Sequence, residues 1–184
     1  FWTNSQGITF EKIISLVENY LFNLDQRVIN NSDRSFDLFP FGLSKRQGIP
    51  EMQNFFILHE GPISITDGVL EEYDYDDLKE NKKIKHTSIG GWIGITDKYW
   101  QTAIIPNQNE PIHQTYSYSF AENVDNFQTD IVGEKIAVSN GASISHNFKL
   151  FAGPKIVSVI DTYMEEYGIQ EFDRSVDFGW FYFL

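Results

Sequence analysis

The chain has 184 residues, of which 41% are hydrophobic and 16% aromatic, and its formal net charge at pH 7 is −12. This length suits one domain with a sizeable core, and the aromatic content excludes wholesale disorder. The acidic balance argues against a nucleic-acid partner, because phosphate binding needs clustered Lys and Arg side chains. Since the chain has no cysteine, it has neither a disulfide framework nor a thiolate metal site.

The first part of the chain has the pattern of strands and turns. Residues 7–16 and 20–30 predict two strands, and apolar–polar alternation in the second predicts a sheet with one solvated face. Pro40 indicates an edge or a bend within residues 35–43. A polar loop is then expected over residues 43–51, and short apolar strands over residues 54–58 and 62–70.

An acidic and then basic run, EEYDYDDLKENKK, occupies residues 71–83. It lacks the sharp-turn glycine of an EF-hand calcium loop, so we interpret it as a solvated loop or a short surface helix. The four histidines, His59, His86, His113 and His146, are at least 27 residues apart. No HExxH or similar spacing occurs, and the sequence therefore predicts no metal site.

The second part of the chain continues the strand pattern. Residues 92–96 and 99–105 form the most apolar hairpin, which we expect in the middle of a sheet. Further strands are predicted over residues 84–88, 112–122, 127–132, 134–138 and 143–151. About ten short strands with regular turn signals predict an antiparallel sandwich.

A helix is predicted after Gly153 and Pro154, because apolar residues recur there at the spacing of one helical face. Gly168 marks its end. A lone amphipathic helix needs an apolar surface, which is either the sheet core or a membrane. The face expected to pack on the sheets consists of Ile156, Ile160, Tyr163 and Tyr167.

Residues 178–184 are apolar throughout and mostly aromatic. Trp and Tyr favour the boundary between water and lipid, which predicts a membrane-interface segment comprising Trp180, Phe181, Tyr182 and Phe183. The segment is too short to cross a bilayer but suits the start of a crossing helix. The alternative is a core strand or helix. Because the chain begins without Met, we expect it to be a piece of a longer protein.

The residues show no catalytic constellation. There is no GxSxG elbow and no glycine-rich phosphate loop, and the adjacent His59 and Glu60 would point to opposite faces of a strand. The sequence therefore predicts a binding or interaction module that uses no cofactor, rather than an enzyme.

Three stretches in order, GGWIGITDKYWQTAIIP at 90–106, FAGPKIVSVI at 151–160 and SVDFGWFYFL at 175–184, carry a family resemblance. They resemble the large periplasmic domain of YidC-type membrane protein insertases of Gram-negative bacteria. Before residue 90 the likeness is mainly one of strand pattern. The resemblance implies an all-β fold with a C-terminal helix, an antiparallel β-supersandwich similar to galactose mutarotase. Residues 1–153 would form the sandwich, and residues 154–184 the helix and linker to a transmembrane helix outside this chain.

The resemblance also implies a location and a role. The domain would lie on the periplasmic side of the bacterial inner membrane, with the bilayer adjacent to its C-terminus. It would be an accessory part of an insertase and chaperone that integrates membrane proteins, alone or with the Sec translocon. Its expected partners are translocon subunits and nascent membrane proteins.

Two alternatives follow from the same resemblance. The family's domain is longer than this chain, so the N-terminal strands of the sandwich are expected to be missing, and exposed strand edges would favour pairing into a homodimer. The mutarotase-like fold also permits a carbohydrate-binding or aldose-epimerase domain. Epimerisation needs an acid and a base that face each other across a cleft, and no such pair is marked in the sequence.

Overall fold

The computed structural model describes residues 1–50 and 59–176. The chain is built mainly of antiparallel strands, followed by a C-terminal helix, which confirms the predicted fold class. The strand expected over residues 54–58 lies outside the described residues, as does the aromatic segment that includes Trp180, Phe181, Tyr182 and Phe183.

The strands are β1 Trp2–Thr3, β2 Ile8–Glu18, β3 Leu21–Asn30, β4 Phe36–Leu38, β5 Phe41–Gln47, β6 Gly61–Thr66, β7 Val69–Glu72, β8 Lys83–Ile89, β9 Trp92–Thr96, β10 Trp100–Ile105, β11 Pro111–Ala121, β12 Val124–Gly133, β13 Ile136–Val138 and β14 Ser143–Pro154. The helices are α1 Tyr75–Asn81 and α2 Val157–Tyr167, and a 3₁₀ turn covers Phe172–Ser175.

The strands of the described residues form three sheets of unequal size. The large sheet has the order β1-β2-β3-β14-β10-β9-β6-β7, and the small sheet has the order β5-β12-β11-β8. A third sheet, the mini-sheet, pairs β4 with β13. Every described pairing is antiparallel.

The apolar hairpin β9–β10 lies in the middle of the large sheet, as predicted. Its two faces contribute to different cores, since Trp92 packs beneath α2 whereas Ile93 faces the small sheet. Gly94 is needed for the close pairing of β9 with β10. A Cβ atom at this position would lie 1.8 Å from the carbonyl oxygen of Thr102.

Two predictions of the first part of the chain were wrong. The expected loop over residues 43–51 contains most of β5, an edge strand whose alternate exposed residues gave it a polar, loop-like composition. The single strand expected over residues 62–70 is the hairpin β6–β7. Its turn, Asp67-Gly68, has positive φ at both residues, the conformation that an Asp-Gly pair favours in tight hairpins.

The acidic run contains the short helix α1, one of the two forms expected for it. Asp74 is the N-cap residue of the helix, in a capping box with Asp77. The Asp77 carboxylate accepts a hydrogen bond from the Asp74 backbone N–H. However, α1 is more than a surface feature, because Tyr75 and Leu78 are buried in the core between the two larger sheets. The helix therefore closes one end of that core.

Helix α2 packs on the face of the large sheet that is opposite the small sheet. Ile160 and Tyr163 are buried there, and Tyr167 is partly buried against the same core. The Tyr163 hydroxyl donates a hydrogen bond to the carbonyl oxygen of Glu18. Gly168 ends the helix in the left-handed conformation.

Ile156 was predicted to share this packing face, and here the structure differs. Ile156 is the residue before the first turn of α2, has an extended backbone and is 41% exposed. The helical periodicity therefore begins one residue later than the apolar pattern indicated. Phe172 of the 3₁₀ turn packs on the same face as α2. Its ring contacts the Trp92 and Phe151 rings edge-on, and these contacts hold the 3₁₀ turn against the large sheet.

Ile160→Ala and Ile156→Ala provide a matched test of this packing. Ile160→Ala should lower the free energy of unfolding by about 2–5 kcal/mol, because it leaves a cavity beneath α2. Ile156→Ala should change that free energy by about 0.5 kcal/mol or less, since this side chain is on the surface. Urea denaturation followed by circular dichroism measures both. Equal losses would contradict the assigned helix face.

Candidate binding groove

Within residues 1–50 and 59–176, the face of the large sheet that looks towards the small sheet is only partly covered. The small sheet contacts the large one at β6, β9 and β10. Strands β2 and β3 and the first half of β14 extend beyond this contact. A groove, defined below by its floor and its wall, lies over the uncovered part.

The groove floor consists of two rows that run across β2, β3 and β14. The strand register places the members of an apolar row side by side, namely Phe10, Val28 and Ile144. A polar row lies on the same face, displaced from the apolar row by two residues along each strand. It consists of Lys12, Gln26 and His146. The floor therefore offers an apolar surface with polar groups along one border.

The groove wall is formed by the mini-sheet and by the segment that leads from it to β5. Leu38 pairs with Ile136 in the mini-sheet, and Phe39 and Pro40 continue the wall. The volume of the open groove is about 230 Å³. This space is smaller than a typical drug-sized ligand site, but it suits one or two apolar side chains of a larger partner.

Asn30 fixes the mini-sheet to the end of β3. Its side chain is fully buried, and its Nδ2 donates to the carbonyl oxygens of Arg34, Val138 and Ser139 at 2.8–3.0 Å. Its Oδ1 accepts hydrogen bonds from the backbone N–H and hydroxyl of Ser32. The buried Asn30 amide thus bonds both the segment before β4 and the end of β13. These bonds hold the mini-sheet in a defined position over the groove floor.

The polar row is held by contacts to other strands. The Gln26 Nε2 donates to the carbonyl oxygen of Phe41 at 2.6 Å, which links β3 to the start of β5. His146 Nε2 lies 3.1 Å from Glu110 Oε2. The other ring nitrogen of His146, Nδ1, is buried and has no hydrogen-bond partner among the described residues. It is therefore an unused polar contact point beside the groove.

The outer edge of β2 continues the groove as an open strand edge. Strand β1 pairs only with Thr9 and Phe10, and within the described residues no strand pairs with the outer edge over residues 11–18. Ile13, Ile14 and Leu16 in this segment are each more than half exposed. Ile14 and Leu16 lie on the same face as Phe10, so the apolar floor extends to this edge.

Histidine side chains of the described residues contact neighbouring titratable groups. His146 Nε2 and Glu110 Oε2 are 3.1 Å apart, so these two groups do not face each other across a cleft. His86 Nε2 hydrogen-bonds the Tyr73 hydroxyl, and burial with the nearby Glu71 raises the Tyr73 pKa to about 12. Residues 1–50 and 59–176 contain no group of three side chains suited to a metal ion.

The predicted and observed sites differ in position. Ile160, Tyr163 and Tyr167 lie beneath or along α2, on the opposite face of the large sheet from the groove. Sequence reasoning missed the groove itself. The signal was available in β2, where Ile13 and Ile14 are adjacent, because an edge strand that is apolar on both faces has more apolar surface than one core can cover.

The chain is similar to known sequences over its whole length. A family model described as the YidC periplasmic domain matches residues 1–184, which includes the segment before residue 90. The chain is 39% identical over 185 residues to a membrane protein insertase YidC of Rickettsia canadensis, and 40% identical to that of Rickettsia bellii. The match covers 100% of this chain and 33% of each relative, so the chain spans about a third of their length.

Among solved structures, the chain is similar to a galactose mutarotase related enzyme of Lactobacillus acidophilus. The TM-score is 0.57 at 12% identity, over 79% of this chain and 61% of the other. This likeness concerns the fold and confirms its mutarotase-like architecture. No helix within the described residues has the length and hydropathy required to cross a membrane.

Tyr75, which is buried in the core between the two larger sheets, provides a test of how burial changes a side-chain pKa. Burial raises the Tyr75 pKa to about 12, above about 10 in an unfolded chain. The resulting stabilisation should be complete below pH about 10 and be lost as the pH rises to about 12, because the unfolded state loses its proton first. Urea denaturation across this range should show a smaller loss of stability for Tyr75→Phe than for the parent chain.

The same variant has an expected result at neutral pH. The Tyr75 hydroxyl is buried, and its interaction with the nearby Arg46 guanidinium falls outside normal hydrogen-bond geometry. Its removal should therefore change the free energy of unfolding at pH 7 by less than about 1 kcal/mol. In the alkaline range, an identical loss of stability in the parent chain and in Tyr75→Phe would contradict the raised pKa of Tyr75.

Proposed function

The chain belongs to the YidC periplasmic domain family, and from this membership we propose that it is the accessory periplasmic domain of an inner-membrane protein insertase. In this role it binds extended apolar segments of membrane proteins as they emerge, and thereby assists their integration and folding. The insertase acts alone or beside the Sec translocon, and the domain lies on the periplasmic side of the inner membrane.

The single observation that carries this proposal is the continuity of the groove with the free edge of β2. Residues 11–18 offer backbone N–H and C=O groups to an added strand, and the neighbouring floor offers apolar contacts. Strand addition obtains affinity from main-chain hydrogen bonds and selectivity from side-chain pockets. Such binding tolerates many sequences, as a protein that meets diverse membrane segments requires.

The C-terminal part has a connecting role in this proposal. Residues 1–153 form the binding sandwich, and residues 154–184 join it to the membrane. The buried contacts of α2 and of Phe172 support this division, because they set the direction in which the chain leaves the sheets. Trp180, Phe181, Tyr182 and Phe183 then provide the contact with the lipid interface.

Binding rather than catalysis is the second part of the proposal. The mutarotase-like fold keeps carbohydrate binding or aldose epimerisation as the alternative function, and the His146–Glu110 pair is the feature that a test must address. An epimerase assay on simple aldoses should show no turnover above background. Turnover that vanished in His146→Ala would favour the alternative instead.

A binding experiment tests the groove and the edge together. A fluorescently labelled, extended apolar peptide with charged ends should bind the chain, as measured by anisotropy. Ile14→Lys with Leu16→Lys places two charges on the free edge and should weaken binding at least about tenfold, because a charged edge disfavours strand addition. Circular dichroism shows whether the variant keeps its fold.

The control is Val69→Lys on β7, which is the opposite edge strand of the large sheet and is likewise exposed. It should leave peptide affinity unchanged. Equal weakening by Val69→Lys would overturn the assignment of the edge. The predicted homodimer is measured in the same samples by sedimentation, because a second copy on β2 would compete with the peptide and would dissociate in the Ile14→Lys, Leu16→Lys variant.

A further inference from the structure

A second exposed apolar surface lies at one end of the large sheet, away from the groove. The β9–β10 hairpin turns there, and the backbone N–H of Lys155 donates to the carbonyl oxygen of Tyr99 at 2.8 Å. Trp100 pairs with Pro154 in the same ladder. These contacts bring the hairpin tip beside the start of α2. The aromatic-basic patch comprises Lys98, Tyr99, Trp100, Lys155, Ile156 and Val157.

The apolar members of this patch are exposed. Tyr99 is 64% and Trp100 is 59% exposed, and the adjoining Ile156 and Val157 are also exposed. Packing of α2 on the sheet therefore does not account for an apolar side chain at Ile156. Large aromatic side chains with one polar atom are the residues enriched where water meets lipid, because their rings and their polar atoms prefer different sides of that boundary.

Basic side chains accompany the aromatic ones, although the whole chain carries a net charge of −12. The Lys98 ammonium lies 5.1 Å from the centre of the Tyr99 ring. Lys45 and Arg46 line the hollow beside Trp100. In the same region Asp97 pairs with Arg46, Glu60 accepts the backbone N–H of Lys98, and the Lys155 ammonium donates to the Thr96 hydroxyl.

We propose that the aromatic-basic patch docks on an anionic lipid surface. The combination of exposed Trp and Tyr rings with lysines matches the two attractions available there, which are insertion at the interface and attraction to acidic headgroups. The proposal takes from family membership only that a membrane is near. It is independent of the groove and adds a second membrane contact to the C-terminal aromatic segment.

Docking through this patch has a consequence for the domain. The hairpin belongs to the centre of the large sheet, and its other end is anchored by the Trp92 indole N–H, which donates to the Gln170 carbonyl oxygen. A rigid central hairpin that touches the headgroups fixes the tilt of the sandwich relative to the bilayer. The groove then keeps a constant orientation towards emerging chains.

The test is co-sedimentation of the 184-residue chain with lipid vesicles. Vesicles of phosphatidylglycerol and phosphatidylethanolamine provide the anionic surface, and phosphatidylcholine vesicles provide the neutral one. The double variant Tyr99→Ser, Trp100→Ser should lose at least about tenfold in affinity for anionic vesicles. Lys98→Gln should lose about fivefold, the effect of one lysine near an anionic surface, and this loss should shrink at high salt.

The matched control is Phe120→Ser. Phe120 is 62% exposed near the tip of another hairpin, β11–β12, where Glu122 follows it in the turn. This variant should bind vesicles like the parent chain. Thermal melts confirm that each variant is folded, and the groove peptide should bind all of them equally, so a failure here is distinguishable from a failure of the proposed groove.

Several outcomes would overturn the proposal. Vesicle binding that survives in the Tyr99→Ser, Trp100→Ser variant would place the lipid contact elsewhere, for example in residues 178–184. Equal binding to neutral and anionic vesicles would remove the role of the lysines. A dimer without vesicles that dissociates in the double variant would identify a second copy, rather than lipid, as the occupant.

Discussion

The unequal width of the two larger sheets is the constraint on which the rest of the structure depends. In the part of the chain that the structure describes, eight strands form one sheet and four form the other, so the small sheet covers only part of one face of its partner. Helix α2 and the 3₁₀ turn cover the opposite face. The remaining apolar face, over β2, β3 and β14, is left to the mini-sheet, which Asn30 holds in place. The groove and the open edge of β2 are direct results of this arrangement.

The two proposed roles fall on different surfaces. We propose apolar contact with a partner chain for the groove and the β2 edge, and orientation at the membrane for the aromatic-basic patch and the C-terminal segment. The buried hairpin β9–β10 connects them, because it forms the middle of the large sheet and ends at Tyr99 and Trp100. Neither proposed role requires acid–base chemistry.

The sequence predicted those features that depend on local pattern. Alternation and turn residues predicted the antiparallel sandwich and its central hairpin, and helical spacing with Gly168 predicted α2. Ile156 was misplaced because an apolar residue before a helix has the same spacing as one inside it. The adjacent Ile13 and Ile14 indicated surplus apolar surface on β2, but the position of the groove was not predictable, because it depends on which strands are left uncovered when distant segments pair. The contact of Asn30 with Val138 across 108 residues has no local signal.

Hydrogen–deuterium exchange with and without the extended apolar peptide tests the central claim most directly, because strand addition protects specific backbone amides. The account predicts that bound peptide slows exchange in residues 11–18 of β2, with smaller effects at the mini-sheet and little change in β7. Protection confined to other segments, or peptide binding with no change in β2, would contradict the assignment of this edge as the binding site.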